Sequence, residues 1–432
     1  MSKILITGMG IVSALGNNVE ENLQSLQENN SGIAPLQYLQ TKHSSFPVGE
    51  VKLSNEMMMN KLNFKSNIPH TRTALMGMLA VKEALINASL LDVRHETPDT
   101  SILNSQISFI NGNTVGGMDK TEQYYLDFMS NNSCDEYIAI HDCGACSEMI
   151  ADYFGDLFCH VQTISTACSS AANAIMAGAM LINSGKADIV VAGGCECITK
   201  FHLNGFNTLM ILDSELCKPF DANRRGINLG EGAAYIVMER EETFKMRYEM
   251  CAMRRSTSLI TNFKPLCRLS GYANTCDAFH QTASSPDGEG AYRAMKQAIE
   301  VAGLQPEQIH YINAHGTGTE NNDLSEGIAI MRLFGKEIPP VSSTKSFTGH
   351  ATSAAGSIEA VISILALQHN FIPKNLNFSK KMPELSFVPY YNMRQLDMRS
   401  EKNSNTKSQI RHVLTNSFGF GGNNTSLIFS KI

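Results

Sequence analysis

The chain has 432 residues, 43% of them hydrophobic, with a formal net charge of −6 at pH 7. This length accommodates one large domain or two core-forming units, and the acidic balance argues against general nucleic-acid binding. No apolar run reaches the roughly 18 residues of a membrane-spanning helix, and the N-terminus has no hydrophobic stretch of signal-peptide shape, so we expect a cytoplasmic protein without membrane contact.

Short β-rich segments alternate with helical patterns along the chain. In the first part, KILITGMGIVSAL and SQISFINGNTVGG precede the helix-like SSAANAIMAGAMLINSG and the strand-like ADIVVAGG. Residues 241–270 are more charged and less regular, which predicts a surface excursion. In the second part, the helix-like GEGAYRAMKQAIEVAGL leads to the strand IHYINAHGTGT, the helix SIEAVISILALQHN and the closing RHVLTNSFGFGGNNTSLIFSKI. This alternation predicts an α/β protein with buried sheets.

Cys168 stands where a β-rich segment ends and a helix-like segment begins, in ISTACSSAANAIMAG. At a helix N-terminus, unpaired backbone N–H groups and the helix dipole favour a thiolate and can hold a developing oxyanion. The segment is compatible with a nucleophile, but taken alone it favours a buried inert cysteine beside a tight turn.

Two histidines, His315 in YINAHGTGT and His350 in SSTKSFTGH, each occupy a glycine turn after a β-rich segment. A single histidine is commonly structural, whereas two in equivalent turns leave a catalytic pair and two structural histidines as equal alternatives. Lys345 precedes His350 by five residues and Glu359 follows it by nine. These two charges form either a surface salt bridge of little energetic effect or a buried ion pair that fixes the loop and its proton affinity.

The segment SFGFGG places Phe418 and Phe420 among glycines, a combination that suits a gate over an apolar channel. It precedes the last strand instead of joining a strand to a helix, which argues against a dinucleotide-binding loop.

Cysteine pairs raise the alternative of a zinc or redox site. Cys143 and Cys146 form a CxxC pair, and Cys195 and Cys197 form a CxC pair. Neither has a second pair at zinc-ribbon spacing, and alternating burial in a strand accounts for Cys195 and Cys197, so we expect no metal site. Eleven cysteines diluted through a long chain favour reduced thiols.

An ordered set of motifs covers nearly the whole chain. It comprises ITGMGIVSALG, ISTACSS, KPFDANRRGINLGEGAA, PDGEGA, NAHGTGT, SSTKSFTGH and NSFGFGGNN. This set resembles the elongating β-ketoacyl-acyl carrier protein synthases of the condensing-enzyme II type. Thiolases, which share the fold, use a second cysteine near the C-terminus, whereas the last cysteine here is Cys276.

The resemblance implies a thiolase-like five-layered α-β-α-β-α fold built from two similar halves. We expect a single unit over residues 1–432, with an N-terminal half at 1–255 carrying the cysteine and a C-terminal half at 256–432 carrying the histidines. It also implies a two-fold dimer, of identical chains or with a related ketosynthase or chain-length-factor subunit.

The resemblance further implies a decarboxylative condensation that extends an acyl chain by two carbons. Cys168 would accept the acyl chain, while His315 and His350 would assist decarboxylation of a malonyl thioester. Backbone N–H groups of Cys168 and Phe420 would form the oxyanion hole. Lys345, paired with Glu359, would orient the histidine site. Phe420 would gate malonyl entry, and Val115 would line the acyl pocket near the dimer interface.

Substrates would arrive on the phosphopantetheine arm of an acyl carrier protein, with no intrinsic cofactor. Candidate contacts to this acidic partner, with a solvated or structural role as the alternative, are Lys61, Lys65, Arg72, Arg224 and Arg225.

Two positions depart from the family pattern. Glu320 stands where proline is common, and Asn423 where threonine is usual. These departures make a polyketide or polyene ketosynthase a rival to a fatty-acid enzyme. A second alternative is a non-catalytic chain-length-determining subunit, although such subunits usually lack the nucleophile that is present here as Cys168.

Overall fold

A computed structural model describes residues 3–65, 68–91, 107–253, 264–392 and 409–432. Within these ranges the strands are β1 Ile4–Ser13, β2 Ile107–Gly112, β3 His160–Ile164, β4 Ile189–Glu196, β5 Gly232–Arg240, β6 Cys267–Cys276, β7 Tyr311–Asn313, β8 Val341–Ser342, β9 His412–Gly419 and β10 Asn423–Ser430. The α-helices are α1 Val19–Glu28, α2 Asn55–Leu62, α3 Arg72–Asn87, α4 Met118–Asn131, α5 Asp135–Ala139, α6 Cys143–Tyr153, α7 Ser170–Asn183, α8 Lys200–Thr208, α9 Glu241–Met253, α10 Glu289–Ala302, α11 Glu320–Phe334, α12 Lys345–Thr348 and α13 Ala355–His369. None of these helices is both long and apolar enough to cross a bilayer.

The strand order is β3-β2-β4-β5-β1-β6-β10-β9-β7-β8. Read inward from each end, the two sets of five strands show the same sequence of parallel and antiparallel pairs. β2 runs parallel to both of its neighbours, and so does β7, while the inner pairs are antiparallel. The two sets of five strands join through the pairing of residues 4–6 with residues 267–269. The predicted boundary between residues 255 and 256 lies outside the described residues.

Two apolar helices, α7 and α13, pack against each other between the two sets of strands. Every residue from 355 to 367 is buried, as expected for a helix that is apolar on all sides. Separate apolar clusters cover the outer faces, one with α3 and α6 and the other with α10 and α11. The predicted five-layered α/β arrangement is therefore confirmed.

The described part of the charged stretch 241–270 is more regular than the sequence predicted, although most of the described side chains of its helix are exposed. Its described part consists of α9 and the start of the central strand β6. Arg247 on α9 is buried and ion-paired with Glu239. Arg247 departs from the predicted surface position because a charged side chain can point inward when a buried partner receives it.

Candidate active site

Cys168 lies in the loop between β3 and α7, with only 6% of its surface exposed. The preceding Ala167 has φ of +51°, a left-handed conformation that is costly for a residue with a Cβ and turns the chain sharply into α7. The backbone N–H groups of Cys168 and Phe420 both donate to the Cys168 sulfur. These two donors mark the place where a carbonyl oxygen would be held.

The Cys168 sulfur is a thiol at neutral pH. Burial raises its pKa to about 11, although Lys345 and the two N–H donors act in the opposite direction. The expectation that the helix N-terminus favours the thiolate is therefore outweighed by desolvation.

His315 follows β7, and the carboxylate of Glu326 on α11 fixes its turn. Glu326 accepts hydrogen bonds from the backbone N–H groups of His315 at 2.9 Å and Gly316 at 2.8 Å. The Nδ1 atom of His315 lies 3.2 Å from Nζ of Lys345. Because an ammonium only donates, Nδ1 accepts and the proton of the neutral ring resides on Nε2.

Gly349 directly precedes His350, and its φ of +69° bends the chain after α12. Its backbone is held by hydrogen bonds to Asn228 and Gly230 at 2.8 and 2.9 Å. The rings of His315 and His350 are nearly perpendicular, with centroids 5.3 Å apart. Burial, aided by the nearby Lys345, lowers the pKa of both histidines well below the usual value, so both imidazoles are neutral.

Lys345 and Glu359 form a buried ion pair beside His315, each with a side chain only 2% exposed. Burial raises the pKa of Glu359 to about 7, while Lys345 opposes this shift. Because the ammonium also contacts His315, it links the carboxylate on the central helix α13 to the ring. The site thus holds one thiol, two neutral imidazoles and one paired cation.

One cavity of about 370 Å³ is lined by Cys168, His315 and His350 together with Phe418 and Phe420. The Phe418 ring lies 5.8 Å from that of His315. Phe420 stacks on Phe206 of α8, with centroids 5.9 Å apart and an interplanar angle of 21°. The three distant side chains predicted from the sequence therefore meet at one cavity that two stacked rings border.

Several predicted residues lie away from this cavity. Val115 is half-buried after β2 and is not among the cavity residues, and its backbone N–H donates to Glu196. Arg72 is buried and ion-paired with Glu231, which corrects its assignment to a carrier-protein surface.

The remaining predicted cations have different exposures. Lys61 and Lys65 are exposed. The Arg224 side chain is 9% exposed and donates to the backbone of Thr319. Arg225 is half-exposed, lines the cavity and pairs with Asp213 at 3.0 Å.

The CxxC cysteines are separated by the fold. Cys146 is buried with its sulfur 3.9 Å from that of Cys195, whereas Cys143 begins α6 and is partly exposed. Among the described residues, no group of three histidine, cysteine or acidic side chains is arranged to hold a metal ion.

Two contributors were not identified from the sequence, Phe206 and Glu326. The only signal for Glu326 was its place among the acidic residues of ENNDLSEG, eleven positions after His315. Phe206 had none, since its contact with Phe420 joins segments more than two hundred residues apart.

The family models for the β-ketoacyl synthase N-terminal and C-terminal domains match residues 1–243 and 266–379. The putative mitochondrial 3-oxoacyl-[acyl-carrier-protein] synthase of Schizosaccharomyces pombe is 32% identical, over 100% of this chain and 99% of that protein. 3-Oxoacyl-[acyl-carrier-protein] synthase 2 of Synechocystis sp. is 31% identical, over 99% and 98%.

Two solved structures are similar to this chain over its whole length. The ishigamide ketosynthase/chain length factor superposes with a TM-score of 0.83 at 26% identity, over 100% of this chain and 99% of that one. The ketosynthase ApeO, in complex with its chain length factor ApeC from Xenorhabdus doucetiae, gives 0.79 at 29%, over 100% and 98%. With both domain models and these relatives in agreement, the chain belongs to the β-ketoacyl synthase family and has its thiolase-like fold.

Proposed function

We propose that this enzyme condenses an acyl chain held on Cys168 with malonyl-acyl carrier protein, releasing carbon dioxide and extending the chain by two carbons. The observation that carries the proposal is the meeting of Cys168, His315 and His350 at one cavity. The family membership and the relatives named 3-oxoacyl-[acyl-carrier-protein] synthase support the same reaction.

In the first step, the Cys168 sulfur attacks the carbonyl of an acyl thioester. Because its pKa is about 11, the thiol must give up its proton during the attack. A neutral imidazole of the histidine pair accepts this proton and returns it to the departing thiolate of the carrier. The N–H groups of Cys168 and Phe420 receive the carbonyl oxygen as it becomes negative.

In the second step, the malonyl thioester loses carbon dioxide, and the electron pair of the broken bond forms an enolate. The negative charge collects on the thioester oxygen, where neutral imidazole donors stabilise it. His315 offers its Nε2–H, since Lys345 occupies Nδ1. His350 also lines the cavity, and its buried Nδ1 has no hydrogen-bond partner among the described residues.

In the third step, the enolate carbon attacks the carbonyl of the acyl group on Cys168. The new carbon–carbon bond forms, the carbon–sulfur bond breaks, and the thiolate is reprotonated. The same two N–H donors hold the oxyanion of this step, so one pair of backbone groups supports both transfers.

The substrates and partners of this reaction are part of the proposal. The phosphopantetheine arm of an acyl carrier protein presents both thioesters, and no intrinsic cofactor takes part. The enzyme works as a dimer, either of identical chains or with a related ketosynthase or chain-length-factor subunit. The solved ketosynthase of Xenorhabdus doucetiae, which is in complex with its chain length factor, supports the second arrangement. Cytoplasmic location remains a prediction.

Replacement of the nucleophile tests the proposal. Cys168→Ala should abolish condensation and the acyl adduct that mass spectrometry detects on the protein. Cys159→Ala, a change at an exposed cysteine just before β3, serves as the control and should leave both unchanged. Unaltered condensation by an assembled complex containing Cys168→Ala would favour the non-catalytic chain-length-determining role instead.

A further inference from the structure

Three asparagines form a polar cluster behind the nucleophile, and we call Asn173 of α7, Asn274 of β6 and Asn423 of β10 the asparagine cluster. The Oδ1 atom of Asn423 accepts hydrogen bonds from Nδ2 of Asn173 at 2.9 Å and Nδ2 of Asn274 at 2.7 Å. It also lies 2.7 Å from the hydroxyl of Ser169. One amide oxygen therefore joins α7, β6 and the Cys168 loop.

The cluster ties together the two segments that supply the oxyanion donors. Ser169 follows Cys168 directly, and Asn423 is three residues after Phe420. Asn173 also donates to Oγ1 of Thr166, on the other side of the nucleophile, at 2.8 Å. The loop carrying one N–H donor is thus bonded to the strand that follows the second donor directly through Ser169, and indirectly, through Asn173, at Thr166.

The end of β9 and the loop that contains Cys168 are in close van der Waals contact. A Cβ at Gly419 would lie 2.8 Å from the carbonyl oxygen of Thr166 and 3.3 Å from the backbone nitrogen of Cys168. The spacing of the Cys168 and Phe420 N–H groups therefore follows from how these segments are fastened to each other. Preorganised donors are effective only when their supports hold them at the place where charge develops.

We propose that Asn423, supported by Asn173 and Asn274, is a positioning residue that sets the geometry of the oxyanion hole. None of the three asparagines is among the cavity residues, so the cluster acts through Cys168 and Phe420 and not on the substrate itself. This inference rests on the proposed function, because it assigns the cluster to the acyl transfers on Cys168.

Three variants separate positioning from general stability. Asn423→Ala removes the shared acceptor. Asn423→Asp keeps an oxygen for all three donors and should rescue the loss. Asn183→Ala is the matched control. Asn183 lies at the opposite end of the helix that begins after the Cys168 loop, and its Nδ2 donates to the Tyr272 hydroxyl at 2.9 Å.

Each variant is acylated from a short acyl-pantetheine thioester labelled with ¹³C at the carbonyl, and the infrared band of the acyl-Cys168 carbonyl is recorded. Weaker hydrogen bonds to this oxygen raise its stretching frequency. We expect a higher frequency and a kcat for condensation about 10- to 100-fold lower in Asn423→Ala, with KM for the malonyl substrate nearly unchanged. The Asn423→Asp and Asn183→Ala variants should resemble the unaltered enzyme.

The outcomes distinguish the two proposals. An unaltered band and kcat in an acylated Asn423→Ala enzyme would overturn the positioning role alone. No acyl group on Cys168 of the unaltered enzyme would overturn the proposed function and the inference with it. If Asn423→Ala does not fold, Asn274→Ala removes one donor and keeps the acceptor. A smaller shift in the same direction is then expected, and no shift would contradict the inference.

Discussion

The sulfur of Cys168 is subject to two opposing influences. Two backbone N–H donors and the Lys345 ammonium stabilise a negative charge on it, while burial disfavours that charge. Burial dominates, so Cys168 is a protonated thiol, and the reaction proposed for it requires a neighbouring base. A protonated thiol avoids side reactions until a thioester and a neutral imidazole are both in place.

This balance predicts how Cys168 reacts with iodoacetamide. Only the thiolate is alkylated, and with a pKa of about 11 its fraction is still rising at alkaline pH. We expect the alkylation rate to increase about tenfold per pH unit from about pH 7 to 9 without levelling off, measured by mass spectrometry of the Cys168 peptide. Glutathione in the same buffers, the control, levels off near its ordinary pKa of about 9. A plateau for Cys168 below about pH 8 would contradict the raised pKa.

Variants of the Lys345 and Glu359 pair distinguish an effect on stability from an effect on catalysis. Lys345→Met leaves the Glu359 carboxylate buried without its partner, and such a change costs about 3–5 kcal/mol of unfolding free energy. Adding Glu359→Leu removes the unpaired charge, so the double variant should regain most of that stability in denaturant unfolding. It should not regain malonyl decarboxylation, because Nδ1 of His315 still lacks its donor. Recovery of decarboxylation in the double variant would show that Lys345 has only a structural role.

At the scale of secondary-structure elements, the position of α7 determines where Cys168 lies. This helix approaches β2 and β4 through glycines: a Cβ on Gly112 would lie 2.5 Å from the backbone nitrogen of Ala171. Ala171 is three residues after the nucleophile. The contact is backbone against backbone, so it cannot be relieved by a change of rotamer.

We therefore predict that Gly112→Ala displaces the start of α7 and disturbs the site. Overpacking of this kind costs about 1–3 kcal/mol, and a displaced nucleophile should lower kcat about 10-fold or more. Thermal unfolding and steady-state rates measure the two effects. Gly144→Ala on α6, where a Cβ meets nothing within 4 Å, is the matched control and should be neutral or slightly stabilising. Equal behaviour of the two variants would argue against the close contact at Gly112.

At the scale of the whole molecule, local patterns predicted the elements but not their partners. The strand, turn and helix around Cys168 and the two histidine turns follow from hydrophobic periodicity and glycine positions. The burial of Arg72 does not, since its partner Glu231 is 159 positions away and neither residue is unusual in its own segment. The stacking of Phe206 on Phe420 likewise depends on how α8 packs against the turn between β9 and β10. Sequence patterns thus located the cysteine and the two histidines that line the cavity, whereas tertiary packing decided which charged and aromatic residues accompany them.

Charge across the whole molecule bears on how the carrier protein docks. The chain has a net charge of −6, so an acidic carrier is repelled overall and must be attracted by local cations. With Arg72 buried, Lys61 at the end of α2 and Lys65 just after it remain as exposed candidates. We predict that Lys61→Glu combined with Lys65→Glu raises KM for the carrier-bound substrate about tenfold at low salt, with a smaller effect at high salt. The kcat should be unchanged, and so should turnover of malonyl-pantetheine, which lacks the carrier.

Lys296→Glu, an exposed change on α10 in the opposite outer layer, is the control and should leave KM unaltered. If the double variant and the control behave alike, docking occurs elsewhere, and the partly exposed Arg225 at the cavity is the next residue to test.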